Sequence, residues 1–159
     1  MKLSGSGLLD GSREEVWQII FDPRALHLLI PGCESLEKVS ASEYRGVIRV
    51  GVASVAGVYD LSVTVVREDP PRTMEMEGVI SGSSGVIFGN ASLIFEEEGH
   101  LTRINYSANP LITGPLSRVS PRFLEGVVNS LLDLGFRNLN RELQAGKFSN
   151  PDHLPLMAE

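Results

Sequence analysis

Three histidines, one cysteine and a few clustered carboxylates are the side chains in this chain with the reactivity for catalysis or metal binding. His27 falls in a short helical stretch, His100 in a hairpin turn and His153 in the C-terminal tail, so the pattern does not bring them to one site. A nucleophile and its base must lie within hydrogen-bond reach, and no spacing here promises that. Cys33 follows a helix stop in Pro31-Gly32-Cys33-Glu34, where the neighbouring Glu34 is expected to raise its pKa and blunt it as a nucleophile. A structural cysteine, in a loop that shapes a cavity mouth, is the reading we adopt. Glu75 and Glu77 alternate with Met74 and Met76 and should face solvent, and Glu96-Glu97-Glu98 reads as a solvated turn. No His, Asp or Glu cluster has metal-ligand spacing. Gly82-Ser83-Ser84-Gly85 lacks the lysine and the following helix of a phosphate cradle. The residues predict no catalytic set, no metal site and no required cofactor.

The elements that would position a site must fit in 159 residues, the size of one domain. Hydrophobic residues make up 42% and charged residues 21%, which is a globular composition. A net charge of -6 without a Lys/Arg cluster argues against nucleic acid as a partner. The single cysteine excludes an internal disulfide and suits a reducing compartment. Met1 to Gly7 lacks the apolar core of a signal peptide, and no stretch approaches the ~20 apolar residues that cross a bilayer. A cytoplasmic protein is expected.

Along the chain, a short strand over Leu3 to Leu9 precedes a capping box, Ser12-Arg13-Glu14-Glu15, and a helix with Val16, Ile19 and Ile20 at helical spacing. Asp22-Pro23 starts a second short helix that Pro31-Gly32 stops. From there to about Pro110 the period becomes two-fold. Tyr44, Ile48, Val50 and Val52 form one alternating set; Tyr59, Leu61, Val63 and Val65 form another, as do Met74 with Met76 and Ile104 with Tyr106 and Ala108. Turn signals fall at Ser40-Ala41-Ser42, Glu68-Asp69-Pro70-Pro71 and Glu97-Glu98-Gly99-His100. Gly78, Gly82, Gly85 and Gly89 mark either bends in a curled sheet or a loop, two readings that stand equal around Ser81 to Gly85. A long helix is predicted from about Leu116 to Leu143, with Phe123, Leu124, Val127, Val128, Leu131, Leu132 and Leu139 on its apolar face. Residues 1–146 thus form the domain and 147–159 a loosely ordered tail.

A bent antiparallel sheet of about seven strands has a concave face that one helix, ~10 Å across, cannot fill. Pattern alone makes a solid core the simpler reading. If a cavity exists, its wall combines Trp17, Leu28, Tyr44, Ile48, Tyr59, Leu61, Met74, Met76, Leu93, Tyr106, Phe123, Val127 and Leu131. Methionine repacks around varied guests, and tyrosine adds a polar handle to an apolar site.

Motifs in order along most of the chain tip the balance. They are Asp22-Pro23 leading to Ile30-Pro31-Gly32-Cys33-Glu34-Ser35-Leu36, then Glu43-Tyr44 entering a strand that ends Val50-Gly51-Val52. Val55-Ala56-Gly57, Asp69-Pro70-Pro71, Gly89-Asn90-Ala91-Ser92-Leu93 and Thr102-Arg103-Ile104-Asn105-Tyr106 follow. In these the chain resembles the G-subunit family of carbon monoxide dehydrogenase, within the START-like and polyketide-cyclase-like helix-grip superfamily. The resemblance implies an α+β helix-grip fold: a curved antiparallel sheet wrapped around a long C-terminal helix, with two short helices after the first strand. It also implies a non-catalytic binder of an apolar small molecule, quinone-like or lipid-like, that serves a molybdenum hydroxylase of the carbon monoxide dehydrogenase type. Two alternatives stay open: an enzyme of the cyclase, aromatase or hydrolase sort, and a cavity-free assembly or docking factor. Relatives thought to tether to membrane carry an extension, whereas the tail Asn150 to Glu159 is short and acidic. Carriage or docking, with at most peripheral contact at the inner membrane face, is therefore expected rather than anchoring.

Overall fold

The computed structural model of the chain describes residues 1–146 and Phe148. The rest of the expected tail lies outside the described residues. In chain order the elements are β1 (Leu3–Asp10), α1 (Arg13–Ile19), α2 (Pro23–Leu29), β2 (Cys33–Lys38), β3 (Glu43–Val50) and β4 (Gly57–Asp69). They continue with β5 (Thr73–Gly82), β6 (Gly85–Glu98), β7 (Leu101–Ala108), β8 (Leu111–Thr113) and α3 (Pro121–Gln144), with 3-10 turns at Ala53–Val55 and Pro115–Arg118.

The two short helices begin where their caps dictate. Ser12 Oγ accepts from the Glu15 amide at 3.1 Å while the Glu15 carboxylate accepts from the Ser12 amide at 2.8 Å, a reciprocal capping box. Asp22 caps α2 through the Arg24 amide at 2.9 Å, with Pro23 in the first turn. The strands form one antiparallel sheet in the order β1-β7-β6-β5-β4-β3-β2, with β8 alongside β6. The long β6 serves two partners: Ala91 to Glu98 pair with β7 and Val86 to Phe88 with β8. Between those stretches Asn109-Pro110 passes over Gly89, where a Cβ would stand 2.7 Å from the Asn109 carbonyl oxygen. That glycine is called for by the close passage of this segment. Gly82 and Gly85 instead flank a two-residue turn, Ser83-Ser84, that joins β5 to β6 as a hairpin.

The last helix differs from expectation at its start. Residues from Leu116 do not join it, because Pro121 disfavours helical geometry in the residue before it. Ser120 is accordingly extended (φ -54°, ψ 131°), and its side chain caps α3 from outside. The stripe turned to the sheet runs through Leu124, Val128, Leu131, Leu132, Phe136 and Leu139. Phe123 lies to one side of that stripe and is 40% exposed, so the apolar face is narrower than predicted.

The C-terminal half of α3 is held tightly to β1 and α2. Gly135 permits this, since a Cβ there would overlap the Leu29 carbonyl at the end of α2. Asn140 ties the helix to edge strand β1, accepting from the Asp10 amide at 2.8 Å and donating to the Leu8 carbonyl at 2.6 Å. Around this contact Leu9, Val16, Ile20, Phe95, Ile104 and Leu139 form the larger core cluster. A smaller cluster of Val55, Tyr59, Leu116 and Leu124 closes the other end of the trough.

Candidate ligand cavity

Between the N-terminal half of α3 and the concave sheet lies a cavity with two lobes, of about 250 and 290 Å3. The lobes share Leu61 and Val63 from β4, Ile80 from β5, Ile87 from β6, and Leu124 and Val128 from α3. Alternation puts every one of these strand residues on the inner face. One lobe extends toward Met76, Ala108, Pro110 and Ile112; the other extends toward Ile30, Pro31, Ile48, Val50 and Leu131. Gly78, Ala91 and Ala108 line the first lobe, and their small side chains leave room that larger residues would fill. Each lobe is close to the lower end of the ~300–1,000 Å3 range of small-molecule sites.

The second lobe is lined by apolar residues and Tyr59, and the hydroxyl of Tyr59 already donates to the Val55 carbonyl at 2.6 Å. Tyr106 is likewise engaged: its hydroxyl donates to Asn129 Oδ1 at 2.8 Å, and its ring stacks on Phe136 with centroids 6.5 Å apart. Burial, and then the nearby Asp133 charge, push the Tyr106 phenol above its ordinary pKa. The polar handles expected of these tyrosines are spent on the protein itself.

Of the residues singled out in the sequence, Ile48, Tyr59, Leu61, Met76, Val127 and Leu131 line the cavity. Leu28, Leu93 and Tyr106 pack against the larger core cluster instead. Trp17, Tyr44 and Met74 line a separate recess at the α1 end of the sheet. Phe123 lies on an outer groove beside Val52 and Gly126. Sequence reasoning missed Val63, Ile80, Ile87, Leu124 and Val128, five of the six shared wall residues. Their signal was present: Ile80 continues the alternation of Met74, Met76 and Gly78, and Val128 follows Leu124 by one helical turn.

Among the described residues the histidines and the cysteine stand apart from this cavity, and His153 lies outside the described residues. His27 is exposed on α2 and His100 is exposed in the β6–β7 turn. Cys33 is buried, with its thiol 3.4 Å from the Ser35 carbonyl. Its pKa is raised by burial; Glu34, expected to be the cause, turns outward and meets Arg49 at 2.6 Å. Among the described residues no helix is long and apolar enough to cross a membrane.

The fold is shared with several solved structures. A conserved protein from Geobacillus kaustophilus is similar at 26% identity and a TM-score of 0.84, covering 92% of this chain and 97% of that one. A START superfamily protein from Mycobacterium smegmatis matches at 12% identity and a TM-score of 0.66, over 91% and 97% of the two chains. A protein from Thermus thermophilus matches at 14% identity and 0.65, over 92% and 99%. No curated protein matches the chain. The family model for the carbon monoxide dehydrogenase G-subunit, CoxG, matches residues 5–144, from β1 to the last residue of α3. Spanning every element that builds the cavity, that match shows that the chain belongs to the CoxG family, the G-subunit family of carbon monoxide dehydrogenase.

Proposed function

We propose that this protein carries the hydrocarbon part of a lipid or of a lipophilic quinone in the cavity under α3, as a non-catalytic companion of a carbon monoxide dehydrogenase-type molybdenum hydroxylase. What carries the reading is the apolar wall of the second lobe, whose one tyrosine hydroxyl is already committed to the Val55 carbonyl. A wall without a free donor favours a guest portion without acceptors, because an unmatched carbonyl inside it would lose its water partners for nothing. An acyl or prenyl chain meets that condition, and a quinone ring or lipid head group is best left at the mouth. The place beside a dehydrogenase rests on the family to which the chain belongs. The net charge of -6 weighs against lasting attachment to anionic lipid, so the guest is carried rather than used as an anchor.

Native mass spectrometry of the protein purified from its own host tests this directly. An apolar adduct is expected, and its fragmentation distinguishes a lipid from a quinone. Met76→Trp in one lobe and Val127→Trp in the other overfill the space while leaving the far core cluster untouched. Loss of the adduct in both variants, with circular dichroism unchanged, is the expected result. Uptake that persists in both overfilled proteins would place the guest elsewhere. Co-purification of a dehydrogenase with the tagged protein from the host tests the partnership separately.

A further inference from the structure

The recess at the α1 end of the sheet has about 350 Å3 of space and shares no lining residue with the two lobes under α3. Aromatic rings build it. Trp17 packs on Phe95 with centroids 4.9 Å apart, which fixes its plane. Phe21 leans on Tyr44 at 5.3 Å. Tyr44 is fully paired within the sheet, opposite Lys38 on one side and Val63 on the other, so this surface is held by strands and a capped helix.

Charge is arranged around those rings in an unusual way. Three charged side chains line the recess: Asp22, Lys38 and Glu68. Asp22 is neutralised by Arg24, whose guanidinium lies 2.8 Å from it and holds its carboxyl below the ordinary pKa. The Lys38 ammonium sits 5.8 Å from the centre of the Tyr44 ring. Among the described residues no carboxylate forms an ion pair with Lys38 and no cation forms one with Glu68. The recess therefore offers aromatic side chains together with one exposed cation and one exposed anion that form no ion pair with each other or with another side chain.

We propose that this recess is a second binding site, for a small aromatic zwitterion: a planar ring that bears both a carboxylate and an ammonium group. The ring lies against the aromatic wall, the carboxylate meets Lys38 and the ammonium meets Glu68. An aromatic acid without an amine is opposed by Glu68, and an aromatic amine without an acid is opposed by Lys38. A molecule with both charges satisfies each.

The test uses a property of the sequence: Trp17 is the single tryptophan, so intrinsic fluorescence reports on this recess. The full-length protein is titrated with 4-(aminomethyl)benzoate, and separately with benzoate and with benzylamine. The zwitterion is expected to change Trp17 emission saturably, with half-saturation at about 1 mM or below. Benzoate and benzylamine should each bind at least about threefold more weakly. Lys38→Met and Glu68→Gln alter exposed side chains, and circular dichroism confirms that both variants fold. Each should weaken the zwitterion at least about threefold. Any other pattern overturns the proposal: no saturable response, equal binding of the three compounds, or a variant that binds as the parent does. Since neither lobe under α3 is involved, the outcome is independent of whether the inner cavity carries a lipid.

Discussion

Asp22 shows how much one side chain can settle locally. Its carboxylate caps α2 and also takes the Arg24 guanidinium, with contacts of 2.9 Å to the Arg24 amide and 2.8 Å to Nη2. The side-chain hydrogen bonds from Arg24 lower its pKa against an opposing contribution from partial burial. A carboxylate held below its unfolded pKa of about 3.9 stabilises the fold fully above that value and loses the contribution as pH falls through the folded one. Asp22→Ala should therefore cost about 1 kcal/mol at about pH 7 in urea denaturation, with the gap from the parent closing by about pH 2. An undiminished gap in acid would mean that the cap acts without its charge. This residue was legible in advance, because a cap followed by proline is written within neighbouring positions. Cys33 was less so. Its raised pKa was foreseen, but the cause was assigned to Glu34, a sequence neighbour, when Glu34 sits at the register shift between Cys33 and Ser35 and turns outward to Arg49.

At the scale of elements, α3 carries two glycines with opposite roles. Gly135 lies against the Leu29 carbonyl, whereas nothing stands within 4 Å of a Cβ at Gly126. Gly135→Ala must push two helices apart and should cost about 2–3 kcal/mol. Gly126→Ala fills empty space on an exposed turn and should stabilise by about 0.5–1 kcal/mol. Thermal denaturation of the two variants checks both signs, and a neutral Gly135→Ala would show that the helix contact is softer than its close approach implies. Helices and hairpins were mostly readable, since caps, turns and alternation are local signals. The beginning of α3 was not: apolar spacing continues back to Leu116, and only the steric rule for the residue before Pro121 separates the 3-10 turn from the helix. The glycines from Gly78 to Gly89 resisted for a different reason. A tight turn, a small cavity-lining residue and a close backbone crossing look alike in sequence, and the β5–β6 register, the cavity wall and the passage of Asn109-Pro110 tell them apart.

Over the whole molecule, the curled sheet and covering helix were expected, but the contents of the trough were not fully legible. Large inward residues drew attention, and several of them, including Trp17, Tyr44 and Leu93, pack outside the lobes. The room comes from residues that are small, such as Gly78, Ala91 and Ala108, and a missing side chain leaves no periodic mark. If an apolar guest occupies this room only in the folded state, binding must raise stability. Saturation to about 100 times Kd adds ~2.7 kcal/mol, which in a domain of this size lifts Tm by about 5–10 °C. Calorimetry on stripped protein, before and after reloading with the co-purifying molecule, should show that rise; an unchanged Tm would deny the guest a home in the native core. The attachment of α3 has its own consequence. Asn140, Gly135 and the Leu9 cluster clamp one end of the helix, while Leu124, Val127 and Val128 face open volume at the other. Robustness and capacity are thereby assigned largely to different stretches of one rod, so descendants of this sequence can retune what they hold at Val127, Val128 and Leu131 without touching the clamp at Gly135 and Asn140.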